Sequence, residues 1–283
     1  MRFDRTGKIS LDGIYTQPDP RAYFTTLREL GYCIPQLAKP YFQQIIGQYR
    51  QSRQVAVPTV VDVGCSYGIN AALLRCDATM DDLYDRYADT GRTRQELLER
   101  DRELVRSHRS PARFVGLDVS RPALAYASAA GFLDDVVQAD LEAREPTPRQ
   151  SALFADADIV MSTGCLGYVT ARTLVRVVGS RRDRRPWMAH FVLRMFPFEP
   201  IADRLAALGY ETMRVDRTFR QRRFASDREQ RQVLETMSAA GVDPDGLETD
   251  GWLHAQLYVS RPVGTPGPLT FDVDDSMTQE AAR

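Results

Sequence analysis

Residues 60–74 read VVDVGCSYGINAALL, an apolar run followed by a short turn and a helix-favouring run. The β-branched residues before Asp62 are typical of a buried parallel strand. Gly64 and Gly68 bound the turn, and the Ala and Leu residues after it favour a helix. A strand, a glycine turn and a helix in this order allow a ligand to approach bare backbone at a helix N-terminus. The stretch therefore predicts a ligand-binding turn in an α/β fold.

Three kinds of ligand compete for such a turn. A phosphate-binding P-loop requires Lys followed by Ser or Thr at the end of the glycine loop, and the turn has no such pair. A dinucleotide site requires G-x-G-x-x-G, whereas Gly64 and Gly68 are spaced G-x-x-x-G. The turn resembles motif I of the class I S-adenosylmethionine-dependent methyltransferases, D/E-x-G-x-G-x-G, with Asp62 matching and Ser66 at the middle glycine. A glycine turn of another α/β protein is the alternative.

The resemblance implies S-adenosylmethionine as the cofactor. Asp62 would hold the ammonium of its methionine part, and backbone N–H groups of the turn would hold the carboxylate. Asp118, at the end of the apolar residues 114–118, would accept both ribose hydroxyls, and Asp140 would receive the adenine amino group. Residues 156–164 resemble the fourth strand and the turn that faces the methyl group. The expected cofactor-binding residues are Asp62, Gly64, Cys65, Ser66, Gly68, Asp118, Val119, Asp140, Leu141 and Ser162.

The resemblance covers residues 58–262 and implies an α/β fold. It predicts a doubly wound, seven-stranded, mostly parallel Rossmann-like sheet whose last strand is antiparallel. Later strands are predicted at residues 159–162, 187–195, 211–215 and 254–260. The other predicted divisions are an N-terminal arm with helices at residues 1–57, a helical insertion at 77–110 between strands 1 and 2, a substrate-side connection between strands 6 and 7 at 216–253, and a loosely held tail at 263–283.

Outside the motifs, residues 1–17 are polar and predict an arm without firm structure. Asp19-Pro20 is typical of a helix start, and helices are predicted over residues 21–30 and 41–50. These helices either cover one face of the sheet or form a lid over the cofactor and substrate. The insertion is predicted to form helices at residues 80–87 and 93–107. Because it leads back to the N-terminal edge of strand 2, it is expected to lie away from the ligand crevice.

The composition limits the function classes. A chain of 283 residues forms one large domain or a domain with additions, and its net charge of −1 gives no general reason to bind nucleic acid or membrane. The four cysteines form no C-x-x-C pair, which argues against a zinc site or disulfide framework and favours a cytoplasmic location. No Asp, Glu or His group has metal-ligand spacing, so no metal is expected. Lys8 and Lys39 are the only lysines, and a GC-rich coding bias explains the preference for Arg.

The methyl acceptor is expected beyond the carboxyl ends of the strands. Methyl transfer requires an aligned nucleophile and, for some acceptors, removal of its proton. Tyr168, after strand 4, is the first candidate for this catalytic role, and His254 is the second. The expected substrate contacts are Tyr15, Tyr32, Cys165, Arg194, Arg220, Arg223 and Trp252. The arginines of the 216–253 connection would suit a carboxylate or phosphate, and the Arg-rich composition is the alternative explanation.

The sequence therefore predicts a methyltransferase that acts on an oxygen or nitrogen of a small molecule, in specialised metabolism. The partner is a small-molecule substrate, with a homodimer allowed and with no nucleic acid or membrane expected. The alternatives are a protein or RNA methyltransferase and a non-catalytic S-adenosylmethionine-binding protein. The lack of a Lys-rich surface weighs against RNA. Ser66 in place of a glycine leaves the non-catalytic alternative open.

Overall fold

The computed structural model describes residues 3–4, 6–180 and 184–272. Seven strands form one sheet: β1 (Thr59–Val63), β2 (Arg113–Asp118), β3 (Asp135–Gln138), β4 (Ile159–Thr163), β5 (Trp187–Leu193), β6 (Tyr210–Arg223) and β7 (Trp252–Pro262). Their order across the sheet is β3-β2-β1-β4-β5-β7-β6. β1 to β5 run parallel, and β7 pairs antiparallel with β5 and β6. The predicted α/β sheet with an antiparallel last strand is confirmed.

Helices cover both faces of this sheet. They are α1 (Arg21–Glu29), α2 (Ile34–Arg53), α3 (Ile69–Arg75), α4 (Met80–Tyr87), α5 (Arg94–Arg106), α6 (Arg121–Ala130), α7 (Pro148–Ala155), α8 (Ala171–Val178), α9 (Glu199–Ala206) and α10 (Asp227–Ala239). Residues of α2, α3 and α6 form one core with the sheet, and residues of α7, α8 and α9 form the other. None of the helices in the described ranges is long and apolar enough to cross a membrane.

The strand that carries the motif is buried on both faces. All residues of β1 are buried. Val60 belongs to the core under α2 and α3, whereas Val61 and Val63 belong to the core under α8 and α9. This alternation follows from the period of two in a β-strand, and a strand covered on both sides needs apolar residues at successive positions. The apolar run therefore places the turn after β1 at a fixed point of the sheet.

The two leading helices form, but the second begins earlier than predicted. α1 starts after Pro20 as expected. From the sequence, Ile34-Pro35 is typical of a turn and Pro40 of a helix start, but α2 begins at Ile34, so the predicted turn is wrong. Pro35 lies in the first turn of α2, where its missing N–H has no intrahelical partner in any case. Pro40, which was predicted to start the helix, lies inside it.

The insertion forms the predicted pair of helices, α4 and α5, and builds a third core with α1, α3 and α6. Each helix begins with a capping box, at Thr79 and Thr93. Phe24 of α1 stacks on Tyr87 of α4, with ring centroids 4.6 Å apart. Buried Asp101 of α5 accepts hydrogen bonds from the hydroxyls of Tyr87 and Tyr126, at 2.6 and 2.7 Å. The insertion is therefore an integral layer that supports α1.

Three further predictions are wrong in detail. Pro146 and Pro148 predict a loop over residues 142–150, but α7 begins at Pro148 and continues beyond that range. β6 extends to Arg223, so the arginines predicted on a crevice-facing connection lie on a strand paired with β7. In the tail, Phe271 packs against Tyr41, and Gln44 and Gln48 of α2 donate to the backbone of residues 272 and 270. The tail is therefore held on α2 up to residue 272, and residues 273–283 lie outside the described part of the chain.

Candidate active site

A cavity of about 700 Å³ lies at the carboxyl ends of β1, β2, β3 and β4. Its floor comprises residues 63–66 after β1, 117–120 after β2, 139–142 after β3 and 163–165 after β4. This is the crevice where parallel α/β sheets bind ligands, and its volume is typical of small-molecule pockets. We call the part over β1, β2 and β3 the cofactor half, and the part over β4 and the end of β6 the acceptor half.

The turn after β1 has the backbone that its sequence predicts. Gly64 has φ of +69°, and a Cβ there would lie 2.6 Å from the Cβ of Cys165. Glycine at this position therefore allows the turns after β1 and β4 to meet. Ser66 has φ of +50°, a conformation that costs an L-residue about 1–2 kcal/mol. Its buried Oγ has no hydrogen-bond partner among the described residues, so the turn offers a polar atom to a ligand.

Asp118 lies at the end of β2 and forms part of the cavity lining. Its Oδ2 accepts the backbone N–H of Ser66 at 2.9 Å, and its Oδ1 accepts that of Ser120 at 2.8 Å. A carboxylate oxygen has two lone pairs, so each oxygen keeps capacity for another donor. Two adjacent acceptors held by two backbone bonds suit a pair of neighbouring hydroxyls. Val119, next to it, is 64% exposed and offers an apolar surface.

Asp140 lines the cavity in the turn after β3, beside Leu141. Its Oδ1 accepts the backbone N–H groups of Glu142 and Ala143, at 3.0 and 3.1 Å. These bonds fix the turn and leave Oδ2 for a donor from the ligand. The predicted acids after β2 and β3 therefore lie at neighbouring positions of one cavity.

Asp62 is fully buried and does not line the cavity. Both of its oxygens accept the Nδ2 group of Asn70, at 3.2 and 3.3 Å, and this group also contacts the Thr163 hydroxyl at 3.1 Å. Asn70 and Thr163 do line the cavity. Burial raises the pKa of Asp62 to about 7, although the bonds from Asn70 oppose that shift. Asn70 therefore lies between the motif acid and the cavity, a position that the sequence did not indicate.

The cavity is roofed by a segment that we call the N-terminal strip, the described part of residues 3–16. Residues 12–15 form a 3₁₀ helix, and Phe3 bridges to Ile9. The hydroxyl of Tyr67 donates to the backbone oxygen of Ile14 at 3.1 Å, and the backbone N–H of Ile9 donates to Glu229 at 2.8 Å. The prediction of an arm without firm structure is therefore wrong for these residues. The strip is tied to the turn after β1 and to α10.

Aromatic side chains of the strip and α1 form the inner surface of the roof. Tyr15 and Tyr32 line the cavity as predicted, together with Tyr23 and Leu27. The ring of Tyr23 lies edge-on to Tyr15 and Tyr32, at centroid distances of 5.7 and 6.3 Å. Aromatic pairs in this geometry stabilise each other beyond the burial of their area. α1 therefore contributes to the roof, whereas most buried residues of α2 belong to the core with the sheet.

Tyr168, the first catalytic candidate, lines the acceptor half. Its hydroxyl donates a hydrogen bond to Asp4 of the N-terminal strip. Burial, reinforced by this bond, raises the pKa of Tyr168 well above its ordinary value. A phenol that stays protonated at neutral pH does not act as a general base, so its geometry suits positioning.

His254, the second catalytic candidate, does not line the cavity. It is buried on β7, with Nδ1 3.9 Å from Oε1 of Glu248. Burial lowers the pKa of His254 to about 4. Arg194, a predicted substrate contact, is bonded to Glu248 and to the backbone oxygen of Asp243. His254 and Arg194 thus belong to a buried polar cluster outside the cavity, because both face the elements between β6 and β7.

The other predicted site residues also divide into those that line the cavity and those that lie outside it. The guanidinium groups of Arg220 and Arg223 lie over the ring of Trp252, at 5.0 and 4.5 Å, and none of these three residues lines the cavity. Ser162 is buried and bonded to His190, and Gly68 caps α3. The predicted residues that do line the cavity are Tyr15, Tyr32, Gly64, Cys65, Ser66, Asp118, Val119, Asp140, Leu141, Cys165 and Tyr168. Arg222, one of the arginines expected over the crevice, also lines it, and the residues missed by the sequence include Lys8, Asn70 and Gln221.

The insertion contributes no residue to the cavity, which agrees with its predicted placement. It does support α1, so deleting the whole insertion would expose Phe24 and disturb the roof.

A single substitution is a better test of this placement than a deletion of the insertion. Tyr87→Phe removes one hydrogen bond to buried Asp101, and we expect a loss of about 1–2 kcal/mol in the free energy of unfolding. Cofactor affinity, measured by calorimetry, should stay within about twofold. A tenfold loss of affinity at unchanged stability would place the insertion in the site.

Comparisons with known proteins concern the fold. No protein-family model and no curated protein matches the sequence. Among solved structures, the chain is similar to magnesium protoporphyrin IX methyltransferase from Synechocystis, with 11% identity, a TM-score of 0.38 and coverage of 91% of this chain and 88% of that chain. It is similar to a TehB-like methyltransferase from Corynebacterium glutamicum, with 11% identity, a TM-score of 0.39 and coverage of 76% and 87%. It is also similar to a SAM-dependent methyltransferase from Aquifex aeolicus, with 11% identity, a TM-score of 0.40 and coverage of 89% and 99%.

With TM-scores below 0.5, these likenesses carry no argument about this chain. The strand order and the antiparallel β7 are those of the Rossmann-like fold that the sequence predicts. Among the described residues, no group of His, Cys, Asp and Glu side chains is arranged to hold a metal ion.

Proposed function

We propose that this chain binds S-adenosylmethionine in the cofactor half of the cavity and methylates an oxygen or nitrogen of a small molecule in the acceptor half. The observation that carries the proposal is the geometry of Asp118. Its two oxygens are each fixed by one backbone N–H and keep acceptor capacity beside the glycine turn. A ribose with two free hydroxyls fits this pair of acceptors.

The other residues of the cofactor half fit the same ligand. The unpartnered Oγ of Ser66 and the backbone of the turn would hold the methionine carboxylate at the start of α3. Asn70, with Asp62 behind it, would hold the amino group. The free Oδ2 of Asp140 would accept the adenine amino group, and Val119 and Leu141 would contact its faces. The carboxylate, the amino group, the ribose hydroxyls and the adenine amino group would thus each have a partner of complementary hydrogen-bonding character.

The acceptor half of the cavity is suited to positioning the molecule that receives the methyl group. The bound cofactor supplies a methyl group on a sulfonium, which needs no further activation. The protein must hold a nucleophile in line and exclude water, and this alignment lowers the barrier by converting a bimolecular step into an intramolecular one. Gly164 of the turn after β4 lies against Gln221 of β6 at this end of the cavity, and Cys165 lines the cavity next to Gly164. Tyr168 closes the side through its bond to Asp4.

The roof favours a small acceptor over a macromolecule. The N-terminal strip crosses the cavity and is tied at Glu229 on one side and at Tyr67 and Ser120 on the other. A protein or RNA chain would have to displace it, whereas a small molecule fits beneath it. This supports the small-molecule reading over the protein or RNA alternative.

The pH dependence of cofactor affinity tests the role of Asp62. Its pKa is raised to about 7 by burial, and the ionised form favours a nearby ammonium. Affinity for S-adenosylhomocysteine should therefore rise as the pH increases from about 5.5 to 7.5, by up to about tenfold. In Asp62→Asn this rise should disappear, because the amide does not ionise. An equal rise in both proteins, measured by calorimetry, would contradict the assignment.

The proposal as a whole is tested by titration and turnover. Calorimetry with S-adenosylmethionine and S-adenosylhomocysteine should show binding at one site. Incubation with methyl-labelled cofactor and a panel of small acids, amines and phenols should give a product heavier by one methyl group. Binding without product from any class of acceptor would favour the non-catalytic alternative. Absence of binding would contradict the proposal.

A further inference from the structure

A buried ammonium group lies in the acceptor half. Lys8 of the N-terminal strip lines the cavity and is 7% exposed. Its Nζ lies 5.1 Å from the ring centroid of Tyr168. No carboxylate or carbonyl of the described residues accepts a hydrogen bond from this Nζ. Burying a charge without a hydrogen-bonded partner is unfavourable, so the position calls for an anion.

The acids around Lys8 are already occupied by other donors. Asp4 accepts the N–H and hydroxyl of Thr6, at 2.8 and 2.6 Å, and also the hydroxyl of Tyr168. Glu229 accepts two bonds from Arg222, at 2.6 and 3.1 Å, and the backbone N–H groups of Ile9 and Ala225. These bonds fix the strip and leave the three donors of the ammonium unused.

The charge on Lys8 persists near neutral pH. Burial, helped by the positive charge of Arg222, lowers the pKa of Lys8 to about 8, while Asp4 and Glu229 oppose the shift. The ammonium form therefore predominates at pH 7. An anion bound to Nζ would favour this form and raise the pKa again.

A second unpartnered group lies on the end of β6. Gln221 is buried and lines the cavity, and its Oε1 has no hydrogen-bond partner among the described residues. Its Nε2 lies 2.9 Å from the point where a Cβ on Gly164 would stand, so the amide faces the turn after β4. In either orientation the amide offers one donor and one acceptor. It therefore suits an O–H or N–H group of a ligand at the position expected for the methyl group.

We propose, building on the proposed methyltransferase function, that the acceptor is a small hydroxy or amino carboxylic acid. Lys8 binds its carboxylate, and Gln221 orients the hydroxyl or amine that receives the methyl group. The acceptor's oxygen or nitrogen forms a bond to the methyl carbon, and the carbon–sulfur bond breaks with its electron pair passing to sulfur. The proton of the acceptor passes to water. The apolar surface of Leu11, Tyr15 and Tyr32 suits the body of an aromatic acid.

The two lysines of the chain make a direct test possible. Protein labelled with ¹³C at the lysine ε carbon gives two side-chain signals, and Lys39→Arg assigns them. Lys39 is bonded to Asp77 at 2.7 Å outside the cavity, so it serves as an internal control. The probes are 2-hydroxybenzoate, 4-hydroxybenzoate and 2-aminobenzoate, each with its carboxamide, added to protein saturated with S-adenosylhomocysteine. Phenyl phosphate tests for a phosphate in place of the carboxylate.

We expect at least one acid to shift the Lys8 signal and raise its pKa, with no effect from the matched carboxamide and none on Lys39. Turnover of that acid should exceed turnover of its carboxamide by at least tenfold in kcat/KM. Lys8→Met should remove this preference through KM, and Lys8→Arg should restore part of it. Gln221→Leu should lower turnover while the acid still shifts the Lys8 signal.

The proposal is overturned if none of the acids moves the Lys8 signal, or if acids and carboxamides shift it equally. A response to phenyl phosphate alone would also overturn it, since the anion would then be a phosphate. If Lys8→Met binds the acid as tightly as the parent does, at unchanged thermal stability, then Lys8 is a solvated side chain that does not bind the carboxylate, and the proposal is overturned. Calorimetry before the acids are added separates these outcomes from a failure to bind S-adenosylhomocysteine, which would overturn the proposed function itself.

Discussion

Asp118→Ala is expected to weaken S-adenosylmethionine binding by about 2 kcal/mol or more, roughly thirtyfold in Kd. The change removes a charged acceptor of two hydroxyls, and hydrogen bonds to charged groups are the stronger kind. It also leaves the backbone N–H groups of Ser66 and Ser120 without their acceptor, so the turn after β1 loses one of its bonds to β2 and keeps those from Gly64 and Cys65 to Leu117. Calorimetric titration of the folded variant measures the loss.

Two comparisons separate ligand contact from damage to the turn. Asp118→Asn keeps an acceptor for one of the backbone bonds but loses the charge, so it should fall between the parent and Asp118→Ala. Asp135→Asn changes an acid at the opposite end of the sheet, where its carboxylate pairs with Arg113, and it should leave affinity unchanged. Parent-like affinity in Asp118→Ala would remove this residue from the site.

The part of the site on the sheet was predictable because its signals are local. Each strand end with an acid, such as Asp118 or Asp140, is encoded by an apolar run and the residue that follows it. The topology then brings these ends to one edge of the sheet. The turn after β1 needs positive φ at Gly64 and Gly68, and the spacing of these two glycines indicated it.

The roof was not predictable, because its contacts are distant in sequence. Ile9 bonds to Glu229, and Lys8 meets Tyr168, although no periodic pattern links them. A short polar segment without apolar periodicity is typical of a loose arm, so the composition pointed away from the observed structure. Asn70 was missed for a related reason, since its role depends on Asp62 and Thr163 converging on it in space.

The full length of the edge strand β6 was not predictable from its sequence, because the strand carries many charges. Its sequence YETMRVDRTFRQRR carries charges where an interior strand would carry apolar residues. Edge strands in natural proteins often bear charges and bulges that prevent further pairing, and β6 has register shifts at two places. The arginines were therefore assigned to a connection, although Arg220 and Arg223 lie over Trp252 and only Arg222 lines the cavity.

Arg222→Met is expected to lower the free energy of unfolding by about 3–5 kcal/mol at pH 7. Arg222 and Glu229 are buried and joined by two hydrogen bonds. Burial alone would raise the pKa of Glu229, but the bonds from Arg222 and the backbone hold it below its ordinary value. In the parent this acid therefore stabilises the fold at pH values above its ordinary pKa, and the contribution is lost as the pH falls through the lowered pKa.

In Arg222→Met the sign of the pH dependence reverses. With its main partner gone, burial should raise the pKa of Glu229 above its ordinary value, so the variant should gain stability as the pH falls from 7 towards about 5. Urea unfolding at both pH values measures this, and the difference between parent and variant should shrink at the lower pH. The double variant Arg222→Met with Glu229→Met should recover part of the loss, because it leaves no unpaired charge.

The pair of Arg222 and Glu229 also anchors the roof, so Arg222→Met should also loosen the N-terminal strip. Glu229 accepts the backbone N–H of Ile9, and the two bonds from Arg222 help to fix its carboxylate for that bond. Exchange of the Ile9 amide with solvent should accelerate in Arg222→Met by more than the loss of global stability explains. The amide of Phe114 in β2 serves as the internal reference for global unfolding, since it lies in the buried sheet. Equal acceleration at both amides would mean that the ion pair stabilises the fold as a whole and has no separate role in closing the cavity.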